Sequence, residues 1–321
     1  MDENNSTVNN IAKGHAAAFI TIFIWGTTFI ATKILLKEFS PVEILLYRFG
    51  VGFLALLIAY PRRLKGTNWK QELMFAAAGL CGITLYYLLE NTALIYTSAS
   101  NAGVICSVAP FFTALFANWF LDGEKQGIAF YMGFIAAIAG ISIISFNGAI
   151  VFKINPLGDL LILCAAIVWG VYSILSRKIS QFGYNTIQTT RRIFVYAILL
   201  MLPAVFLSDF KLGLERFTKP VNVFNMLFLG LGASALCFVT WNWAVRFLGA
   251  VKTSVYIYLI PVITVITSII VLHERINWIS GIGIVLTLTG LFVSERRGRT
   301  DFYNGQGDEQ KNNRAVEKNR K

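Results

Sequence analysis

Two charged side chains lie inside long apolar runs of this sequence, where they are best placed to do chemistry. Glu90 lies deep in the run 71–94, and Arg48 lies in the middle of the run 41–60. An acidic group in hydrocarbon costs roughly 2.5 kcal/mol or more, so Glu90 must face a cavity, meet a cation or stay protonated. We predict that it carries a transferable proton or binds an amine. The alternative is a structural role, as a partner for Asn91 or a buried arginine.

A second arginine, Arg192, follows Arg48 at a distance of 144 residues and lies in another apolar run. These arginines could bind the carboxylate of a substrate or pair with a buried acid such as Glu90. A structural use is the alternative, because a long basic side chain can snorkel to the interface or bond to backbone carbonyls. The sequence leaves both uses open.

Aromatic and amide side chains on the same runs could form the wall of a pocket. Pockets favour aromatic walls with a few polar anchors, and an aromatic face attracts a cationic amine. Trp and Tyr also gather at membrane interfaces, and amides also bond between helices, so each position alone has a structural alternative. Besides Glu90, the candidate cavity residues are Trp25, Tyr86, Asn101, Trp169, Trp241, Asn242 and Tyr256.

Metal, cofactor and enzyme chemistry have no support in the sequence. The four cysteines lie in apolar runs without a C-x-x-C pair, and there are only two histidines, so we expect no disulfide framework, metal site or cofactor. The segment 249–254 contains Lys-Thr but lacks the spacing of a phosphate loop, and no HExxH or GxSxG motif occurs. We predict that the chain is not an enzyme.

Composition places the chain in a lipid bilayer. The 321 residues are 56% hydrophobic and 14% charged, and the mean hydropathy is +0.62, whereas soluble domains carry about 25% charged residues. The net charge of +11 would suggest nucleic acid as the partner of a soluble protein. Here the basic residues lie in loops and in the tail, where they set topology. We therefore expect no nucleic-acid partner.

Ten runs are long and apolar enough for transmembrane helices, because a bilayer core of about 30 Å needs roughly 20 residues. They do not alternate apolar and polar residues as barrel strands do. Breaks at 96–98 and 246–249 predict tight turns. The runs are 15–35, 41–60, 71–94, 98–121, 128–147, 157–177, 185–207, 223–247, 251–272 and 278–294.

Loop charges predict the orientation. With the N-terminus inside, the inner loops and the start of the tail hold 13 lysines and arginines, against 7 on the outer side. The excess indicates that both termini are cytoplasmic. The polar, basic segment 295–321 has little to bury, so we expect it to be a disordered cytoplasmic tail.

The two halves of the chain repeat each other. Trp25-Gly26 recurs as Trp169-Gly170 at an offset of 144, and Asn91 aligns with Asn242 at 151. Each half holds five predicted spans, and an odd number makes the second half enter the membrane from the opposite side. The predicted fold is an all-α membrane protein of ten transmembrane helices arranged as two inverted five-helix repeats, an arrangement typical of secondary transporters.

The repeat also contains a proline in each half. Pro110 and Pro261 stand 151 residues apart in predicted spans four and nine. Each removes a backbone hydrogen bond and predicts a kink. Matching kinks suit a pair of hinges, although packing alone could explain them.

These motifs resemble the EamA family of the drug/metabolite transporter superfamily. The resemblance covers residues 15–295 and rests on Trp25-Gly26, the segments 41–48 and 93–102, Ala109-Pro110-Phe111, Gly123-Glu124 and, in the second half, 259–261 and 273–275. It implies a ten-helix transporter whose central cavity is lined by helices 1, 3, 4, 6, 8 and 9. Similar members export amino acids or other metabolites. The second-half counterpart of Tyr-Thr-Ser-Ala is Phe-Leu-Gly-Ala at 247–250, which departs from the pattern.

We therefore expect a gradient-driven transporter that exports amino acids or related small metabolites by alternating access. A lipid or polyprenyl-carrier flippase on the same scaffold is the alternative. The expected divisions are a cytoplasmic segment at 1–14, repeats at 15–147 and 157–294, and the tail at 295–321. The expected partners are a small-molecule substrate and the bilayer of the plasma membrane, and the protein is expected to be a monomer or homodimer.

Overall fold

A computed structural model describes residues 2–97, 99–122, 126–146, 155–208, 210–263 and 278–296. All regular secondary structure in these ranges is helical, so the predicted all-α class is confirmed. The first two residues of the predicted tail, Glu295 and Arg296, belong to the last described helix. The rest of the tail and the residues Glu124, His273 and Glu274 lie outside the described residues.

Ten helical segments follow one another along the described chain, and we number them α1 to α10. A short 3₁₀ turn at Leu214–Thr218 joins α7 to α8. The segments are α1 Asp2–Leu35, α2 Pro41–Ala59, α3 Trp69–Tyr96, α4 Ala99–Cys106 with Ala109–Phe120, α5 Ile128–Phe146, α6 Pro156–Ser180, α7 Thr186–Leu207, α8 Pro220–Leu248, α9 Ala250–Ile263 and α10 Trp278–Arg296.

Seven of the ten segments are long and apolar enough to cross a membrane, namely α1 to α4 and α6 to α8. The apolar parts of the other three are shorter within the described residues, at Ile128–Ile143, Ala250–Ile263 and Gly281–Ser294. The chain is therefore a multi-pass membrane protein. The count of ten crossings stays a prediction.

Polar caps explain where several helices begin. The Ser40 hydroxyl accepts from the backbone N–H of Glu43, and the Glu43 carboxylate accepts from the backbone N–H of Ser40 at 2.8 Å. This capping box satisfies donors that have no partner inside the helix. Asn68 and Gln71 form an equivalent box at the start of α3. The cap residues thus fix where α2 and α3 begin.

The two tight turns predicted from the sequence lie where α3 and α8 end. Thr97 is extended, with φ −121° and ψ 166°, and ends α3. Gly249, with φ 87° and ψ 168°, ends α8 and precedes α9. That conformation is essentially restricted to glycine. The second-half departure from the Tyr-Thr-Ser-Ala pattern therefore places a glycine where the backbone requires one.

We expect Gly249→Ala to lower the free energy of unfolding by about 1–3 kcal/mol, because a Cβ is strained at this φ. Thermal unfolding of the purified protein in detergent measures the effect. Gly50→Ala is the matched control, since a Cβ on Gly50 in α2 has no neighbour within 4 Å. Equal stability of the two variants would mean that the turn relaxes without cost.

Both α3 and α8 contain a π-helical stretch that the sequence did not predict. The stretches are Leu80–Leu85 and Phe228–Leu236, and they end at positions 151 residues apart. This is the offset that relates Asn91 to Asn242. π-Bulges inside α-helices are frequent at functional sites. Their occurrence in both halves indicates that the stretch belongs to the repeat.

The two repeated prolines follow interruptions in their helices. The helix of α4 is interrupted at Ser107 and Val108, just before Pro110. In α9 a 3₁₀ turn at Tyr256–Tyr258 precedes Pro261. Both interruptions are consistent with the hydrogen bond that proline removes. Their use as hinges stays a prediction.

Glycines bring α5 and α10 into backbone contact. A Cβ on Gly140 would lie 2.5 Å from the Thr287 nitrogen, and a Cβ on Gly290 would lie 2.4 Å from the Ala137 nitrogen. Such closeness is possible only without a side chain, as in other close-packed membrane helices. Gly133 makes a similar approach to the Gly290 oxygen, at 2.6 Å. The last described helices of the two halves therefore form a single tight pair.

Contacts among helix ends define two faces of the molecule. At the first, which we call the Leu35 face, Lys33 near the end of α1 bonds to the carbonyl of Thr97 at the end of α3. The Thr97 hydroxyl bonds to Asp159 at the start of α6. At the other, which we call the Ser180 face, Arg177 near the end of α6 bonds to the carbonyl of Arg246 at the end of α8. The ends of α1 and α6 thus lie at opposite faces.

Arg216 organises the loops of the Leu35 face. Its guanidinium donates to the Glu43 carboxylate at 2.8 Å and to the Glu38 carbonyl at 2.7 Å, and lies 4.3 Å from the centre of the Phe39 ring. Lys219 reaches the Glu38 carboxylate at 2.6 Å and is largely exposed. Hydrogen bonds from Lys219 and Asn222 lower the pKa of Glu38. The loop after α7 is thereby fastened to the start of α2.

We expect Arg216→Ala to destabilise the protein by about 3 kcal/mol, because it leaves the buried Glu43 carboxylate without its cation. Lys219→Ala is the matched control and has a much smaller effect, since exposed ion pairs contribute little. Thermal unfolding of both variants tests the difference. Similar losses would mean that Glu43 is satisfied by its capping box alone.

Candidate functional site

A small cavity lies among α1, α3, α4, α6 and α9. Its volume is about 30 Å³, enough for a water molecule or two, whereas ligand pockets span roughly 300–1,000 Å³. A ligand as large as an amino acid can enter only if the helices move apart. The lining residues are Trp25, Thr28, Phe29, Tyr86, Tyr87, Glu90, Cys106, Trp169, Ile257 and Ile260.

Aromatic rings form much of the cavity wall. The rings of Trp25 and Trp169 meet edge to face at 5.2 Å, and Tyr86 lies 5.0 Å from Trp169. The indole N–H of Trp25 donates to the Ala233 carbonyl at 3.0 Å. The indole N–H of Trp169 has no hydrogen-bond partner among the described residues. The wall therefore offers one unused donor along with its apolar faces.

The glycines that follow these tryptophans explain how α1 and α6 approach the cavity. A Cβ on Gly26 would lie 2.8 Å from Ile263 in α9, and a Cβ on Gly170 would lie 3.1 Å from Phe112 in α4. Phe112 and Ile263 stand 151 residues apart. The repeated Trp-Gly motif thus makes the same helix contact in each half, with the tryptophan turned towards the centre.

Glu90 is the charged residue of the cavity wall and is 4% exposed. Tyr86 lies one turn earlier on α3 and also lines the cavity, where its hydroxyl is 3.4 Å from the Cys106 sulfur. No cation lies within ion-pair distance of Glu90 in the part of the chain that the structure describes. A buried carboxyl group that faces a cavity without a paired cation is suited to hold a proton or an amine.

Arg48 lies behind the cavity wall. It is 1% exposed, and its Nε donates to the Ser234 hydroxyl at 3.0 Å. The guanidinium carbon lies 4.2 Å from the centre of the Tyr87 ring, which separates it from the cavity. Within the described ranges both terminal nitrogens of Arg48 lack a hydrogen-bond partner. A buried cation with unused donors therefore lies behind the Tyr87 ring, which lines the same cavity as Glu90.

Trp241 lies deeper than the cavity wall. Its ring is fully buried and packs against Trp25 at 5.1 Å and Trp169 at 5.7 Å. It is not among the residues that line the cavity. In this conformation Trp241 therefore supports the two lining tryptophans from behind.

Asn242 belongs to a separate group of polar side chains, which we call the Asn242 cluster. Its Oδ1 accepts from Tyr172 at 2.9 Å and from Ser176 at 2.6 Å, and its Nδ2 donates to Thr190 at 3.0 Å. Sequence reasoning missed the three hydroxyl residues. The four-residue spacing of Tyr172 and Ser176, which puts both on one face of α6, was the available signal.

A family model for EamA-like transporters matches the chain twice, at residues 12–146 and 156–295. The chain belongs to the EamA-like transporter family. The family that the sequence motifs suggested is thereby confirmed. Members of this family are transporters rather than enzymes, which confirms the prediction that the chain is not an enzyme.

Curated relatives of this EamA-family chain are similar over nearly their full length. An uncharacterized transporter of Archaeoglobus fulgidus is 27% identical, over 88% of this chain and 97% of its own. The uncharacterized transporter YyaM of Bacillus subtilis is 28% identical, over 87% and 92%. A probable terminal-alkyne amino-acid exporter of Streptantibioticus cattleyicolor is 26% identical, over 89% and 95%.

A solved crystal structure shares the fold of this EamA-family chain. It superposes on 90% of this chain and 98% of its own with a TM-score of 0.70, at 22% sequence identity.

The remaining candidates of this EamA-family chain lie away from the cavity or outside the described side chains. Tyr256 hydrogen-bonds to His15 in the first half of α1, with 2.6 Å between oxygen and Nδ1. Arg192 forms an ion pair with Glu72 at 2.8 Å, and its side chain is 40% exposed. The side chain of Asn101 is not described. The structure thus brings Trp25, Tyr86, Glu90 and Trp169 together, and it places Arg192 elsewhere.

Proposed function

We propose that this chain is a gradient-driven transporter that exports amino acids or related small metabolites by alternating access. The observation that carries the proposal is Glu90, a buried carboxyl group that faces an aromatic cavity and has no paired cation among the described residues. In hydrocarbon such a group is retained for function. The similarity to a probable amino-acid exporter supports the choice of substrate class.

The arrangement of charges fits a zwitterion. The substrate amine binds the Glu90 carboxylate, with the faces of Trp25 and Trp169 around it. The substrate carboxylate accepts from the unused indole N–H of Trp169 and is attracted by the cation of Arg48 behind Tyr87. The amine thereby gives the Glu90 carboxylate a counter-charge, and the carboxylate gives the Trp169 indole N–H the acceptor that it lacks among the described residues.

Competition for Glu90 would couple transport to a gradient. A proton and a substrate amine cannot both occupy one carboxylate, so binding of the first releases the second. An inward proton gradient then drives export by loading Glu90 from outside and releasing substrate there. We place both termini in the cytoplasm and the protein in the plasma membrane, following the loop charges.

Two inverted five-helix repeats, at 15–147 and 157–294, would give the protein two conformations, each open to one side of the membrane. The paired contacts of Gly26 with α9 and of Gly170 with α4 support this arrangement, because they are the same contact made once in each half. When each half takes up the conformation that the other half had, the cavity opens to the opposite face. Pro110 and Pro261 would act as the hinges.

Release of metabolites from cells tests the proposal. We expect cells that express the chain to accumulate one class of amino acids or amines in the medium, compared with cells that carry the empty vector. Proteoliposomes loaded with that compound should then release it faster when a proton gradient is imposed. Matching metabolite profiles for expressing and empty-vector cells would overturn the export proposal.

A further inference from the structure

A lysine near the end of α1 binds the carbonyl end of α3. Lys33 Nζ donates to the Leu94 oxygen at 2.5 Å and to the Thr97 oxygen at 2.8 Å. The last carbonyls of a helix have no partner within it and carry partial negative charge. A cation from a neighbouring helix is therefore a favourable cap, and it ties the two helix ends together at the Leu35 face.

An arginine near the end of α6 makes the same contact with α8. Arg177 Nη1 donates to the Arg246 oxygen at 3.1 Å and to the Val245 oxygen at 3.4 Å. Arg177 follows Lys33 by 144 residues, the offset of the two Trp-Gly motifs, and Val245 follows Leu94 by 151, the offset of the two prolines. One contact thus occurs twice, at equivalent places in the two halves and at opposite faces.

The Lys33 contact lies directly over the cavity. Thr28 and Phe29 line the cavity about one helical turn before Lys33 in α1, and Glu90 lines it one turn before Leu94 in α3. A path from the cavity to the Leu35 face between α1 and α3 therefore passes the Lys33 ammonium. The path to the Ser180 face passes Trp241 and the Asn242 cluster before it reaches Arg177.

The two contacts differ in the side chains that support them. One residue before Arg177, Ser176 donates to Asn242 at 2.6 Å. The equivalent pair in the first half is Thr32 and Asn91, yet Thr32 Oγ1 and Asn91 Oδ1 are both buried without a hydrogen-bond partner among the described residues. Beside the Arg177 contact a polar cluster is already bonded, whereas beside the Lys33 contact the equivalent Thr32 and Asn91 oxygens are not bonded to each other.

We propose that Lys33 and Arg177 are a pair of gating residues, one for each face of the transport cavity. In one state Arg177 and the Asn242 cluster hold α6 to α8 while the Lys33 contact opens. In the other state Arg177 releases α8, and Thr32 pairs with Asn91 to reinforce the Lys33 contact. The proposal rests on the transport function proposed above.

Labelling of Cys106 tests the gates without any substrate. This cysteine lines the cavity and is 5% exposed, so a membrane-impermeant maleimide reaches it only through an open face. The reagent is added to one side of the membrane at a time, in right-side-out and inverted vesicles. Modification of Cys106 is followed by peptide mass spectrometry, which separates it from the other three cysteines.

We expect Lys33→Ala to raise labelling of Cys106 from one side about fivefold and Arg177→Ala to raise it from the other side by a similar factor. The matched controls are Lys37→Ala and Lys178→Ala, which remove a neighbouring cation at the same faces and should leave labelling unchanged. Lys33→Arg and Arg177→Lys keep a cation and should label close to the parent.

Unchanged labelling in both alanine variants, or a rise from the same side in both, would overturn the gating proposal. Lys33 and Arg177 would then be structural helix caps. If the Arg177→Ala protein does not fold, Ser176→Ala tests the same face, because it removes one bond of the Asn242 cluster and keeps Arg177. That variant should also raise labelling from the Arg177 side. Since labelling involves no transport, the export proposal can fail while the gates stand, and the reverse also holds.

Discussion

Glu90→Gln lowers export of the substrate at least about tenfold while the protein folds as the parent does. Glutamine has the same shape but cannot accept a proton or form a charge-assisted bond, which is worth about 1.5–3 kcal/mol, and each 1.4 kcal/mol is a factor of ten. The measurement is the rate of release of the identified compound from proteoliposomes, with thermal unfolding as the check on folding.

Glu72→Gln is the control for this variant. Glu72 also lies in α3 and binds a cation, Arg192, but it lies at the Ser180 face and does not line the cavity. We expect its export to stay within about twofold of the parent, because the substitution leaves the cavity wall unchanged. If Glu90→Gln exports at the parent rate, Glu90 has a structural role and neither carries the proton nor binds the amine.

Arg48→Met raises the temperature of unfolding and lowers export at least about tenfold. A buried guanidinium with two unpartnered nitrogens costs stability, since each unsatisfied group is worth about 1–3 kcal/mol. Methionine fills similar space without polar atoms, and replacement of buried charges by apolar side chains is often stabilising. Export falls because the substrate carboxylate loses the cation behind Tyr87. Thermal unfolding and proteoliposome release measure the two effects.

Arg48→Lys separates charge from shape in the same experiment. Lysine keeps the cation and loses the planar contact with Tyr87 and the bond from Nε to Ser234. We expect it to retain more export than Arg48→Met and to be less stable than the parent. A loss of stability in Arg48→Met would show instead that Arg48 is retained for packing between α2 and α8.

Hydropathy predicted a helical segment at each of the ten runs because a bilayer requires long apolar runs. It did not predict that α1 already begins at Asp2, in the polar segment before its run. The turns at Thr97 and Gly249 could also be predicted, since polar residues or glycine interrupt the apolar pattern there. The π-helical stretches could not, because a change from four-residue to five-residue hydrogen bonding leaves no distinct residue pattern. They depend on how α3 and α8 pack against neighbouring helices.

Part of the candidate site followed from residue type. Glu90 faces the interior because ionisable side chains in spans turn away from lipid. Trp25 and Trp169 meet it there because the Trp-Gly motif brings α1 and α6 to the same centre. The repeat predicted equal roles for Arg48 and Arg192, yet one lies buried beside Tyr87 and the other pairs with Glu72. Equivalent positions diverge because each arginine depends on a different helix for its partner.

The backbone contact between α5 and α10 has a mechanical consequence. Gly140 and Gly290 let the two helices touch backbone to backbone, where any side chain would collide with the facing helix. We expect this pair to act as a fulcrum, which means that the first four helices of each half rotate about the contact between α5 and α10. A rotation of a few degrees at the fulcrum then becomes a displacement of several ångströms at the distant ends of α1 and α6.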